Sequence, residues 1–312
     1  MNMEQVQLAG LAVSRFIIGG NPFSTVSHQG ESRDLEMRHW YTTARIKATL
    51  ADAEANGVTT FLGRADNHVI RILCEYRDEG GRIDWIAQTT PELASIERSV
   101  SRALGMGANA IFVHGGQMDQ MLANDDLSRL PDIIQRIRDS GLPAGIAGHN
   151  PDVHRWAEDH LDVDFYMCCY YNPSRRDSKA ERDAAAQEAY RDEDRQIMVQ
   201  VIQGLSRPAI HYKIMAAGRN DPDEAFEFAA AQMRESDAVC VGVHTKDNPN
   251  MVRENVERLE RCLVKADRRS EAGGARRSIC SAEARDSVWF FRGRRVIVSA
   301  RHSQNQPALR ED

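Results

Sequence analysis

Arg64, Asp66 and His68 fall within five consecutive residues. A guanidinium, a carboxylate and an imidazole so close together, just beyond an apolar run, would meet a polar substrate from one side. His114, His149 and His244 each stand at or just after another such run, and His28 follows the first one. Five of the ten histidines are thus expected on one rim. Imidazole beside carboxylate suits general acid–base catalysis, because histidine titrates near working pH. The same Asp66, His68, His114 and His149 would also make a reasonable first shell for a divalent metal, although no local metal-binding spacing is present. A third reading is that these histidines are hydrogen-bonded structural groups.

Lys213 lies in an alternating segment in which His211, Lys213 and Met215 share one side and Tyr212 and Ile214 the other. If its side enters a barrel lumen, a desolvated amine there could form a Schiff base with a carbonyl compound. Against that stands a role as charge partner for a substrate carboxylate or phosphate. Ala216-Ala217-Gly218-Arg219 is a small-residue turn ending in a guanidinium, which suits an anion, unless Arg219 pairs with Asp221, Asp223 or Glu224. Asn21, with Pro22 and Phe23, reads as a rigid loop wall facing a ligand, and the vicinal Cys168 and Cys169 should point to opposite sides of their strand.

The elements that position these groups are legible as alternating units. Eight apolar runs are expected as strands: 16–19, 59–63, 85–89, 110–114, 144–148, 165–170, 209–214 and 238–243. Helix-period segments lie between them. Thr42 to Asn56 carries Ile46, Leu50 and Ala53 on one stripe and stops at Gly57; Pro91 to Met106 repeats the pattern; Pro131 to Ser140 stops at Gly141. Pro222 opens another helix, and Met251 to Leu263 forms the last. Gly19-Gly20-Asn21-Pro22 does not match the glycine fingerprint of an open dinucleotide-binding sheet. Even spacing of eight strands favours an α/β chain closed into a (β/α)8 TIM barrel over residues 1–265. Val6, Leu8, Leu11 and Val13 around Gly10 read as a short N-terminal hairpin lidding the barrel's amino-terminal end. Residues 172–192 are too long and too charged for an ordinary connection, and 266–312 reads as a basic tail without helix period.

At 312 residues, 42% hydrophobic and 28% charged, the chain is able to bury one large core. A net charge of −6 gives no reason to expect a nucleic-acid partner. The opening MNMEQVQLAG lacks the basic and apolar parts of a secretory signal, and the six cysteines show no C-x-x-C spacing. A cytoplasmic protein with a small-molecule substrate, no membrane association and reduced thiols is expected.

Several segments resemble the aldo-keto reductases. VQLAGLAVSRFIIGG is similar to that family's opening hairpin and first strand, ADAEANGVTTF to its next helix and strand, and AIFVHGGQMD to its fourth strand. AGIAGHNPDVHRWAEDHLDVDFYMCCYYN, YKIMAAGR and DAVCVGVHTKDNPNMVREN resemble the later units, so the likeness spans about residues 5–263. It implies a barrel fold and NADP-linked reduction of a small polar carbonyl or sugar-like compound. By the resemblance, catalysis would use a tyrosine supported by lysine, aspartate and histidine. Here the aspartate position holds Leu62, the lysine position Gln88, and GRADNHVIR has no tyrosine; only His114 is retained. The resemblance further implies cofactor roles for Asn150, Gly242, Lys246 and Asn255, while His149 and Met167 replace the family's serine and glutamine. The altered set also admits a redox-independent lyase, isomerase or hydrolase.

Overall fold

A computed structural model describes residues 3–93, 95–173 and 190–283. Ten strands and ten helices lie among them. The strands β1 (Gln5–Leu8) and β2 (Leu11–Ser14) form an antiparallel hairpin with Val6 opposite Val13 and Leu8 opposite Leu11. The barrel strands are β3 (Phe16–Gly19), β4 (Thr60–Arg64), β5 (Asp84–Gln88), β6 (Ala110–Val113), β7 (Ala144–Gly148), β8 (Phe165–Cys169), β9 (Ala209–Tyr212) and β10 (Ala238–Gly242). They pair in parallel, in chain order, and the ring closes where Val239 meets Phe16 and Val241 meets Ile18.

Period-two alternation sorts the strand residues into two cores. Ile17, Leu62, Ile86, Phe165, Met167 and Ile210 point inward, and the hairpin's Val6, Leu8 and Val13 join the same cluster, closing the amino-terminal end as expected. Phe16, Ile18, Phe61, Trp85, Tyr166 and Cys168 point outward against the helices. Helices α1 (Glu31–Trp40), α2 (Thr43–Ala55), α3 (Asn67–Asp78), α4 (Ile96–Gly105), α5 (Gly115–Ala123) and α6 (Leu130–Asp139) cover the first half of the ring. Helices α7 (Pro151–His160), α8 (Asp192–Gly204), α9 (Pro222–Gln232) and α10 (Met251–Glu283) follow. Gly57 and Gly141 adopt φ of 82° and 81°, the left-handed conformation that ends α2 and α6 where the sequence places their stops.

Two boundaries differ from the sequence reading. Helix α4 begins at Ile96 rather than Pro91, because the Ser95 side chain accepts the Arg98 N–H at 3.2 Å and caps the first turn. Helix α10 runs past residue 265 to Glu283, on a stretch with four alanines and four arginines, both good helix formers. Most of the 172–192 stretch, and the tail beyond Glu283, lie outside the described residues. Residues 1–266 form one compact unit. The five cysteines whose side chains are described are free thiols. Among the described residues, no helix is long and apolar enough to cross a membrane.

Candidate active site

The carboxyl ends of the strands surround a cavity of about 520 Å³. Its floor is made by the last inward residues of successive strands, among them Leu62, Gln88, Phe112, Ala147, Met167 and Tyr212. The floor is therefore apolar and uncharged except for the Gln88 amide and the Tyr212 phenol. Its walls come from the loop after β3, which includes Asn21, from the loop after β9, and from the segment joining β10 to α10.

Lys213 lines this cavity. By strand parity it should share the side of His211, and His211 is fully buried on the outer side of β9, bonded to Tyr170 and Asp237. The inward residue is Tyr212 instead, so strand alternation does not place Lys213 in the lumen. The strand ends at Tyr212, and Lys213 takes a left-handed φ of 56°, which ends the alternation at the point where its side chain joins the mouth. The following turn is held by the Ala216 N–H donating to the Lys213 carbonyl at 2.9 Å. Arg219 donates to the Ala216 carbonyl at 3.1 Å and the His28 carbonyl at 2.9 Å, and lies over the Tyr190 ring. This guanidinium thus ties the loop after β9 to the loop after β3 and is not among the lining residues.

Behind Lys213, burial pushes the Tyr212 phenol well above its ordinary range, so it stays protonated. Tyr212 stands opposite Cys169 in the register between β8 and β9. Burial raises the Cys169 thiol to about 11 even though the Lys213 charge pulls it down. Cys169 therefore behaves as a neutral thiol rather than a thiolate nucleophile. Its neighbour Cys168 points the other way, into the outer core beside His154, as alternation requires.

His149 sits next to Tyr212, with ring centroids 6.1 Å apart and the rings edge to face. Its Nδ1 bonds to Asp119 Oδ2 at 2.7 Å, while Asp119 Oδ1 accepts the backbone N–H groups of His149 and Asn150 at 3.0 and 3.1 Å. Burial by itself would raise the Asp119 carboxyl, but the His149 charge and these hydrogen bonds outweigh it and hold it below its usual value. A carboxylate only accepts, so Nδ1 carries the proton in the bond to Asp119. Asp119→Asn should keep the two backbone contacts but turn an amide donor toward Nδ1, shifting the neutral imidazole to the Nε2–H form. Nitrogen-15 imidazole shifts check this, and unchanged shifts would refute the assignment. Asp119 escapes sequence reasoning, although an acid among Gly115, Met118 and Met121 on the buried face of α5 was a signal.

The remaining predicted residues are not gathered here. Asp66 is the N-cap of α3, accepting from the Val69 N–H at 2.9 Å, and also binds Arg64 at 3.1 Å; Arg64 in turn pairs with Glu92. His68 is exposed on α3, with Nε2 3.2 Å from the Phe23 carbonyl. His114 caps α5, its Nδ1 accepting from the Gln117 N–H at 3.3 Å. None of Arg64, Asp66, His68, His114 and His149 lines the cavity; of the five histidines expected on one rim, His28 and His244 do. For Asp66 and His114 the physical reason is shared: a polar residue at a strand-to-helix junction is also the group that satisfies the helix's first N–H donors.

The far wall carries His244, Gly242 and Asn255. His244 Nε2 lies 3.2 Å from Glu36, which also accepts from Lys246 at 2.7 Å. The hydrogen bond from Lys246, followed by that from His244, draws the Glu36 carboxyl down to about 2. Donor atoms of Glu36, His244 and Asp247 lie within 4.8 Å of one another. Both carboxylates already hold cations, Arg33 on each and Lys246 on Glu36, which leaves little negative charge for a metal ion. Asn255 is buried; its Oδ1 accepts from Arg258 at 3.0 Å and its Nδ2 has no hydrogen-bond partner among the described residues.

Of the groups the resemblance assigns to NADP, Gly242 and Asn255 reach the cavity. Asn150 does not, its side chain being the cap of α7, where it accepts from the Asp152 N–H at 3.0 Å. Lys246 is exposed, paired with Glu36 and outside the lining. The orphaned Asn255 amide fits a polar group at that end, but the residues present do not assemble a full seat for a nicotinamide dinucleotide of the family's kind.

No family model matches this chain, and no curated protein does. Solved structures do. Two solved structures from Pseudomonas aeruginosa, each described as an aldo-keto reductase, superpose with TM-scores of 0.57 and 0.55, each at 16% identity over 84% of this chain and 96% and 95% of theirs. The apo form of the protein Gox0644 superposes with a TM-score of 0.52 at 8% identity, over 84% of this chain and 93% of its own. The likeness is one of fold. At such identities it extends to the closed eight-stranded barrel and not to an activity.

Proposed function

We propose that this chain is a barrel enzyme acting on a small polar carbonyl or sugar-like compound, bound over the apolar floor with its carbonyl beside Lys213 and Tyr212. One observation carries the reading: a lysine with no carboxylate partner among the described residues lines a cavity at the strand ends, next to a phenol held protonated. An amine and a phenol O–H are the donors that a polarised carbonyl oxygen accepts from. The His149–Asp119 pair stands one ring behind Tyr212. The distant barrel relationship to aldo-keto reductases is compatible with carbonyl chemistry, and the reading takes a small-molecule substrate in the cytoplasm.

The test is a panel of small aldehydes, ketones, 2-oxo acids and aldoses, followed by proton NMR with and without NADPH. At least one compound should be converted, and conversion should drop in a Lys213→Met variant that melts like the parent. Conversion that needs NADPH identifies a reductase; conversion without it identifies a lyase or isomerase. No conversion across the panel would defeat the reading.

A further inference from the structure

Lysine is scarce in this chain. Of its 40 basic residues five are lysines, Lys47, Lys179, Lys213, Lys246 and Lys265, and the other 35 are arginines. Arginine keeps its charge under all working conditions and makes the better ion pair, whereas lysine alone of the two offers an amine able to lose a proton and attack. The described lysines divide accordingly. Lys47 is held by Glu75 and Glu79, Lys246 by Glu36, and Lys265 by Glu227. Such carboxylates block the amine and keep it protonated, as the raised pKa of Lys47 on Glu79 illustrates. Lys213 has no such partner among the described residues, lines the cavity, and stands on a left-handed backbone that only an unusual local constraint maintains. An ion-pairing or solubilising role would be served by arginine on ordinary backbone.

We infer that Lys213 is an amine nucleophile that forms an imine with the carbonyl compound bound in this cavity, an inference that rests on the carbonyl reading above. The neutral Nζ adds to the carbonyl carbon, and the carbonyl π pair moves onto oxygen. Both amine protons pass to that oxygen as the C=N bond forms and the C–O bond breaks, and one water leaves. Tyr212, one residue away with its proton in place, is the neighbouring carrier for this transfer. The apolar floor of Leu62, Phe112, Ala147 and Met167 limits competing hydrolysis by bulk water.

The experiment incubates the full chain separately with glycolaldehyde, D-glyceraldehyde and pyruvate in the presence of cyanoborohydride, followed by peptide mass mapping. With at least one probe, Lys213 should be alkylated about tenfold or more faster than Lys47, Lys246 or Lys265, the advantage expected of an oriented, unpaired amine. Prior unfolding in urea should abolish that preference. A Lys213→Arg variant retains the charge without the amine chemistry, and should lose both the adduct and turnover. Alkylation spread evenly over the lysines, or confined to another one, overturns the inference. Turnover surviving in Lys213→Arg also overturns it while leaving the carbonyl reading intact, whereas absence of both adduct and turnover removes the two together.

Discussion

Asp237→Asn is expected to destabilise the barrel by about 3–5 kcal/mol, the cost of removing one partner from a buried ion pair. Asp237 is fully buried just before β10. Its Oδ1 accepts from the Ala209 N–H at 2.8 Å and Arg234 at 2.9 Å, and its Oδ2 from the Arg234 N–H at 2.9 Å and His211 Nε2 at 3.2 Å. His211 Nδ1 continues the chain to the Tyr170 hydroxyl at 2.9 Å, and both of those residues are fully buried as well. The carboxylate thus joins β9 to the turn that enters β10, next to the seam where the ring closes. Asparagine preserves the shape but removes the charge and turns an N–H₂ toward donors, leaving Arg234 and His211 uncompensated. A loss in melting temperature on the order of 10 °C should follow. Thermal and urea unfolding measure it, and a change under about 1 kcal/mol would mean that the network contributes little.

The acid dependence of the same group has a defined sign. Burial by itself would raise the Asp237 carboxyl, but hydrogen bonds from His211 and Arg234 outweigh it and hold it far below its ordinary value. A carboxyl depressed in the folded state contributes stability that is fully present above its unfolded pKa of about 4 and is lost as the pH falls toward the folded value. The acid limb of the stability profile should therefore be shallower in Asp237→Asn than in the parent.

Lys213→Gly is expected to reduce turnover about 10²–10⁴-fold, the range for loss of a group acting at the reacting centre. It should do so without loss of folding stability. A non-glycine residue at φ of 56° costs about 1–2 kcal/mol, and release of that cost offsets the roughly 0.5–1 kcal/mol entropic penalty of glycine. Few substitutions at a lysine should leave a protein equally stable and inactive, so the pair of readouts separates a functional residue from a structural one. Calorimetry beside the conversion assay is sufficient. A glycine variant that keeps its turnover, or one that melts several degrees lower, would show that Lys213 is there for packing.

How much was legible beforehand differs by level. The eight strand runs, the glycine stops at Gly57 and Gly141, and the hairpin lid could be read directly, because side-chain periodicity, left-handed caps and apolar alternation are local properties. The candidate site could not be read in the same way. Asp66 and His114 look catalytic in sequence, and Asn150 looks cofactor-binding by the resemblance, yet each is the residue that caps the helix after its strand. The sequence alone cannot separate a capping role from a catalytic one, since both call for a polar side chain at the same position.

Lys213 and Asp119 show the complementary failure. Strand parity does not extend to Lys213, where a single left-handed dihedral ends the alternation. Asp119 acquires its meaning from His149, thirty residues away on another unit. The amino-acid sequence by itself determined the repeating units, their order and which strand residues turn inward, because each follows from interactions within a few residues. The tertiary structure alone decided which polar groups share the cavity, because ring closure and backbone dihedrals at the strand ends place side chains that are remote in the chain.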